Sequence, residues 1–144
     1  MVVEAHEVRQ RFAARVVELD GYEEADAPFD PSSAPASMTR PFSVAVPQTL
    51  SNGTRDRSGG TMDVRSRVLV RVHAPVYQAG PSRVSRVDDE LQAEAQLVRH
   101  MMVQGQAWSL ALRVDFAGTD RRLLPGDEWL ETDHIFDVGH QVQL

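Results

Sequence analysis

The sequence contains neither cysteine nor lysine, so all 15 basic residues among its 144 are arginine. The absence of cysteine excludes disulfides, thiolate nucleophiles and zinc sites built on cysteine. No apolar run reaches the roughly 18 residues that a membrane-spanning helix needs. The N-terminal segment "MVVEAHEVRQ" carries charge from Glu4 onward and lacks the apolar centre of a signal peptide. We therefore expect the protein to stay where it is made and to bind no membrane.

Length and charge set two further limits. A chain of 144 residues predicts a single domain, 1–144, that can bury a core of its own. The net charge is -6 and the isoelectric point is about 5.3. Non-specific DNA binders gain affinity by neutralising phosphates with a basic surface. Binding of nucleic acid would therefore need a local basic patch on an otherwise acidic protein.

Apolar spacing predicts two amphipathic helices. The first covers residues 3–19, where Ala5, Val8, Phe12, Val16 and Leu19 recur at helical spacing. In the second, Ser85 and Asp88 resemble a capping box, acidic residues occupy the first turn and Gly105 is the stop. Its apolar face is predicted to consist of Val87, Leu91, Ala95, Val98 and Met102. Residues 21–41, rich in proline and small residues, are predicted to be a long loop.

Four further segments alternate between apolar and polar residues, as half-buried strands do: "PFSVAVPQT", "MDVRSRVLVRVHAPV", "WSLALRVDF" and "WLETDHIFDVGHQVQL". The turn-rich segments 51–61 and 117–128 are predicted to be hairpin tips that project from the strands. Such alternation indicates a sheet with one face covered and the other open. The order α-β-β-α-β-β predicts an α+β two-layer sandwich, with about four mainly antiparallel or mixed strands and two helices on one face.

The strand at 62–76 raises the main functional question. Its valines fall on one face, while Arg65, Arg67 and Arg71 fall on the other. The last strand carries a second stripe, formed by Glu131, Asp133 and Asp137. The two stripes could pair across strands within one chain, or the arginines could meet another subunit. Nucleic acid is disfavoured, because the stripe lacks the stacking aromatics of single-strand binders.

Motifs for catalysis or metal binding are absent from the sequence. His134 and His140 lie on one strand face but six residues apart, about 20 Å in an extended chain. His6, His73 and His100 show no metal-ligand spacing. "SGGT" at 58–61 lacks a lysine and precedes a strand, unlike a phosphate loop. We predict no metal, no cofactor and no enzyme; a hydrolase or isomerase using His73 or His134 with a carboxylate is the minor alternative.

The order of elements and the local sequence resemble a known family. An N-terminal helix leads through a Pro/Ala/Asp-rich loop to "PFSVAVPQT", then to "RSRVLVRVHAP", the helix "DDELQAEAQLVRHMM" and the closing hairpin "WSLALRVDF … LETDHIFDVGHQVQL". This arrangement is similar to the tail terminator proteins of long-tailed bacteriophages and to related minor tail or neck proteins. The resemblance implies a non-enzymatic α+β subunit of the virion, assembled in the host cytoplasm without a cofactor.

The resemblance also implies partners. Its members form a homo-hexameric ring that stops polymerisation of the tail tube, meets the head-side connector or neck protein and lets DNA pass through the lumen without specific binding. A closed ring needs two complementary patches on each subunit. We expect these intersubunit patches to be Arg65, Arg67 and Arg71 on one side and Glu131, Asp133 and Asp137 on the other. The tips are expected to contact the tube or neck through Thr54, Arg55, Asp56, Arg57, Asp120, Arg121 and Arg122.

Two alternatives to a tail terminator stay open at this point. One is a head-tail joining or tail completion protein of the neck, which would touch different neighbours. The other is a protein-binding adaptor from outside phage, which would use the exposed sheet face as a monomer.

Overall fold

A computed structural model describes residues 2–25, 40–55, 60–76, 85–103, 111–126 and 128–144, with the backbone alone at 52–55. Within these residues the chain forms two helices and a five-stranded mixed sheet, an α+β fold. The elements in chain order are α1 (Ala5–Val17), β1 (Tyr22–Glu24), β2 (Arg40–Arg55), β3 (Thr61–Pro75), α2 (Val87–Met102), β4 (Arg113–Leu123) and β5 (Trp129–Gln143).

The strands lie in the order β1-β2-β3-β5-β4. β1 runs parallel to β2, and the other neighbours are antiparallel. β3 and β5 form the centre and pair along their full length, from Thr61 opposite Gln143 to Pro75 opposite Trp129. The prediction of about four strands was one strand short, because β1 lies inside the segment predicted as a loop, 21–41. Its three residues are too few to show an alternating pattern.

Both helices pack on the same face of the sheet. α1 buries Val8, Phe12 and Val16, and the Phe12 ring meets the Phe136 ring of β5 edge to face with centroids 5.5 Å apart. β3 contributes its valines to this core, in which Val68 and Val70 are fully buried. Fully burying one such aliphatic side chain stabilises the fold by about 1.5–3 kcal/mol. The predicted two-layer arrangement, with helices over one face, is therefore present.

The second helix is rotated relative to the prediction. α2 runs from Val87 to Met102, close to the predicted helix that follows Ser85 and stops at Gly105. The residues that it buries fully are Leu97 and Met101, not the predicted apolar face. Val87 and Leu91 of that face are 44% and 43% exposed. An apolar row on α2 is thus left partly uncovered by the described part of the chain.

The predicted hairpin tips contain more strand than expected. β2 extends to Arg55 and β3 begins at Thr61, so part of the segment 51–61 belongs to strands and residues 56–59 lie outside the described residues. β4 continues to Leu123, so most of the segment 117–128 is strand as well. β4 continues past a β-bulge between Phe116 and Gly118. The extra residue at the bulge changes which face of the sheet the following side chains occupy.

Candidate functional site

The candidate site is the face of the sheet opposite the helices, here called the open face. It is built by Arg65, Arg67, Leu69, Arg71 and His73 of β3 and by Glu131, Asp133, Ile135 and Asp137 of β5. Strand alternation sends the valines of β3 to the helices and its arginines to this face. The β3–β5 register then sets Arg67 opposite Asp137, Arg71 opposite Asp133 and His73 opposite Glu131.

Arg71 makes the best-formed ion pair of the open face. Its Nε donates to Asp133 Oδ1 at 2.8 Å and its Nη2 to Oδ2 at 3.0 Å. Its Nε also lies 3.4 Å from Glu131 Oε1. The hydrogen bond to Asp133 is the main cause that raises the pKa of Arg71, and the charges of Asp133 and Glu131 add to it against the opposing effect of burial. The guanidinium is therefore fixed by its own chain.

Glu131 is the second centre of the network. Burial would raise the pKa of its carboxyl, but the hydrogen bonds from His73 and Arg122 and the charges of Arg71 and Arg122 together lower it. The ionised carboxylate accepts a hydrogen bond from His73 Nε2 at 2.8 Å. His73 is 3% exposed and Glu131 is 8% exposed. This pair resembles the acid–base pair that a hydrolase would need, but little of it faces solvent.

The ion pairs at the other end of the open face are looser and more exposed. Arg67 makes a single 3.2 Å contact from Nε to Asp137 Oδ1. Arg65 and Arg113 both lie opposite Gly139, which offers neither of them a side chain. Arg65 has no ion-pair partner within the described residues. Arg113 Nε lies 3.6 Å from Asp115 Oδ2, in a pair whose arginine side chain is 84% exposed. A shallow pocket of about 210 Å³ opens here, lined by Gln48, Leu50, Arg65, Arg67 and Asp137.

These contacts decide where the predicted intersubunit residues lie. Arg67, Arg71, Glu131, Asp133 and Asp137 pair with one another inside one chain. The alternative that the two stripes meet within a subunit is thus the arrangement in the structure. Arg65 is exposed and is the predicted interface residue without an ion-pair partner among the described residues; an intersubunit role for it stays a prediction.

Among the residues predicted to contact the tube or neck, those whose side chains the structure describes lie within a strand. Asp56 and Arg57, with the side chains of Thr54 and Arg55, lie outside the described residues. Asp120, Arg121 and Arg122 lie within β4. After the bulge, Arg122 turns to the open face and pairs with Glu131 and Asp133, and Asp120 lies opposite Asp133. Arg121 turns to the helical face and pairs with Glu94 of α2.

A buried chain of hydrogen bonds that the sequence did not suggest crosses the helical face. His140 Nδ1 lies 2.6 Å from the Val3 carbonyl oxygen, and its Nε2 lies 2.7 Å from Ser66 Oγ. A carbonyl oxygen can only accept, so Nδ1 donates to Val3, and the second hydrogen bond of the ring joins Nε2 to the Ser66 hydroxyl. Thr49 Oγ1, 3.0 Å from Ser66 Oγ, completes the chain.

This hydrogen-bond chain anchors the N-terminal segment rather than preparing a nucleophile. Ser66 is 0% exposed and His140 is 4% exposed. The Val3 amide donates to the Gln141 carbonyl oxygen at 2.9 Å, and the Gln143 amide donates to Glu4 Oε1 at 2.9 Å. The segment before α1 therefore lies along the end of β5, held by backbone and side-chain contacts.

His134 is the remaining buried histidine of β5. Burial lowers its pKa to about 4; the charge of Arg121 also lowers it, whereas that of Asp133 opposes the shift. Its Nδ1 lies 3.4 Å from Thr119 Oγ1 on β4. The imidazole is therefore neutral at neutral pH and lies between strands, where it fills space in the sheet.

Within the described residues no group of three or more His, Asp or Glu side chains could hold a metal ion. In the same part of the chain neither helix has the length and apolar character to cross a bilayer. Comparison of the sequence with models of known protein families gave no match. Comparison with curated proteins gave no match either.

Proposed function

We propose that this chain is a structural subunit of a bacteriophage virion: a tail terminator whose copies form a ring on the tail tube and join it to the neck. The observation that supports this most is the open face of the sheet. Its ion-pair network is complete at one end and leaves Arg65 and Arg113 exposed at the other. A face of this kind suits a contact between proteins.

The chemistry at the exposed end favours a carboxylate from a neighbouring subunit. Arginine presents a planar fork that binds a carboxylate in two-point geometry. Gln48, opposite Arg67, adds an amide to the same pocket, and Leu50, opposite Arg65 and 44% exposed, adds an apolar wall. A pocket of about 210 Å³ accommodates one acidic side chain. The proposed ring contact is therefore between the Arg65 pocket and an acidic side chain of the next subunit.

The histidines and the buried serine support a non-catalytic role. Ser66 and His140 are committed to anchoring the N-terminal segment, and His73 is hydrogen-bonded to Glu131. All three side chains are buried. The net charge of -6 is also compatible with a ring whose lumen passes DNA, because like charge lowers non-specific affinity for nucleic acid.

Native mass spectrometry of the purified protein across salt and protein concentration tests the ring. A hexamer, or a monomer–hexamer mixture that salt shifts to monomer, is expected, because contacts between exposed charges are screened by salt. Arg65→Ala should dissociate at lower salt. Arg9→Ala is the matched control, since Arg9 lies on α1 and makes an exposed pair with Glu24. A monomer under all conditions would favour the adaptor alternative.

Polymerisation of the tail-tube protein separates a terminator from a neck protein. Adding a terminator to polymerising tubes should shorten them and leave rings at one tube end in electron micrographs. Arg65→Ala should lose this activity at concentrations where Arg9→Ala keeps it. Tubes of unchanged length, with binding to the isolated head connector instead, would assign the chain to the head-tail joining proteins.

A further inference from the structure

A second uncovered surface lies on the helical side of the molecule. The apolar row Val87, Leu91, Ala95, Val98 and Met102, here called the α2 stripe, runs the length of α2 at helical spacing. Leu91 is 43% exposed and Phe116 of β4, beside it, is 38% exposed. Together with neighbouring residues they line an open groove of about 440 Å³. Exposed apolar patches of this kind mark contact surfaces.

We propose that the α2 stripe binds a second copy of this chain, with the two α2 helices packed antiparallel about a two-fold axis. An interface of this symmetry uses the same patch twice, so the patch must be complementary to itself. The stripe meets that condition. In the antiparallel register centred on Glu94 and Ala95, Leu91 faces Val98 of the second copy. At each end Val87 lies near Met102 of the second copy, which is partly buried against its own core. The small Ala95 at the centre lets the two helices approach closely.

The charges beside the stripe favour the same register. Asp88 and Arg99 lie along its outer edge, and both are exposed. Neither has an ion-pair partner among the described residues. The antiparallel register brings Asp88 close to Arg99 of the second copy, twice by symmetry. A parallel two-fold pair would instead set the Asp88–Arg99 edge of each helix against the inner edge of the other, so these opposite charges would not meet. Opposite charges across a contact fix its register and exclude the alternatives.

The inner edge of the stripe adds no net charge that would oppose this contact. There Glu94 of α2 already pairs with Arg121 of β4. This two-fold contact is separate from the proposed ring contact, which lies on the opposite face of the sheet and joins two different patches. The two-fold contact does not depend on the ring. A second copy of the chain would occupy the α2 stripe whether or not rings form.

The lack of cysteine makes a direct cross-linking test possible. Ala95→Cys places one thiol next to the proposed two-fold axis, so two copies should form a disulfide under mild oxidation. Gln96→Cys is the matched control, because Gln96 is exposed and points away from the stripe on the same helix. Cross-linking of the Ala95 variant should be at least about tenfold faster, since proximity raises the effective concentration of the second thiol. Equal rates for the two variants would overturn the proposal.

Charge exchange provides an independent test. Asp88→Arg and Arg99→Asp should each weaken self-association by about two- to fivefold in sedimentation velocity, because like charges then meet twice at the contact. Mixing the two variants should restore association. In the mixed dimer the introduced arginine faces the introduced aspartate, and the native Arg99 of one copy faces the native Asp88 of the other. A mixture that associates no better than the separate variants would contradict the proposed register.

The results separate this proposal from the proposed function. Hexamers in native mass spectrometry together with no preferential cross-linking at position 95 would refute the two-fold contact and leave the ring standing. Preferential cross-linking in a protein that forms no species larger than a dimer would support the two-fold contact and refute the ring. Circular dichroism of every variant shows whether the fold is kept, which is expected because the changed residues are exposed or half-buried.

Discussion

Arg71 of β3 lies directly opposite Asp133 of β5, and its guanidinium binds both carboxylate oxygens, at 2.8 and 3.0 Å. Asp133 is 8% exposed, although it belongs to the face that the helices leave open. Two-point binding restricts both side chains to one geometry. The pair therefore ties the two central strands together on the open face and gives that face a fixed pattern of charge.

Removing Arg71 should destabilise the protein more than removing its neighbour on the same strand. Arg71→Gln removes the two-point partner of the buried Asp133 and leaves it only the longer 3.6 Å contact with Arg122, so the free energy of unfolding should fall by about 2 kcal/mol. Arg67→Gln removes a single contact between more exposed groups and should cost at most about 1 kcal/mol. Urea unfolding of the two variants measures both values. Equal losses of unfolding free energy in the two variants would contradict the conclusion that the Arg71–Asp133 pair stabilises the fold more than the Arg67–Asp137 pair does.

His134 should make the protein sensitive to mild acid. The unfolded chain binds a proton at this imidazole as the pH falls through 6.5, while the folded protein resists protonation until about 4. Because the folded-state pKa is the lower one, the stability is complete above pH 6.5. It is lost between 6.5 and 4, by about 3 kcal/mol in total.

His134→Gln isolates this contribution from the other titrating groups. The variant should lose less stability than the wild type when urea unfolding at pH 7.5 is compared with unfolding at pH 4, and the difference measures the histidine. The same pH dependence in both proteins would show that His134 is not the group responsible.

Ser66→Ala should weaken the anchoring of the N-terminal segment. The change leaves Nε2 of the buried His140 without its hydrogen-bond partner, which should lower the free energy of unfolding by about 2 kcal/mol. Hydrogen exchange at the Val3 amide should accelerate as well, because that amide is held by the same arrangement. Ser51→Ala is the control on an exposed serine, whose hydroxyl contacts Met62 Sδ at 3.4 Å, and should change neither quantity. Unchanged exchange at Val3 in Ser66→Ala would refute the anchoring role.

Gly118 should be required for the bulge in β4. Its φ is +149° and no atom lies within 4 Å of where a Cβ would stand, so an alanine meets backbone strain rather than a clash. Gly118→Ala should cost about 1–2 kcal/mol. Gly139→Ala is the matched control, because its φ is not in the positive region and the added Cβ would be 3.7 Å from Arg113 Cβ, an ordinary contact. A greater loss at Gly139 would overturn this account of the bulge.

Local periodicity allowed much of the fold to be predicted. The alternation in "VRSRVLVRV" predicted which residues of β3 face the helices, and the structure confirms it with Val68 and Val70 fully buried. Helical spacing predicted α1 and α2 within a few residues of their bounds. These predictions succeed because an element with one buried face repeats its apolar residues at the helical or the strand period. That repeat can be recognised within the element alone.

Features set by packing between distant segments could not be predicted. The contact between His140 and Val3 joins residues that are 137 positions apart in the sequence, and no pattern within either segment predicts it. The bulge beside Gly118 shifts the faces of Asp120, Arg121 and Arg122, so the alternation before the bulge could not predict which side of the sheet each of them takes. α2 shows the same limit, since its most regular apolar row was predicted to be buried while the core takes Leu97 and Met101.

The measurement that tests the ring most directly is native mass spectrometry of the Leu91→Glu variant over a salt series. The change disables the α2 stripe, so that any larger species must come from the ring contact. The account predicts a hexamer at low salt that dissociates as salt rises, and that dissociates at lower salt when Arg65→Ala is added. A protein that stays monomeric at every salt and protein concentration would contradict the account. So would a hexamer whose dissociation is changed neither by salt nor by Arg65→Ala.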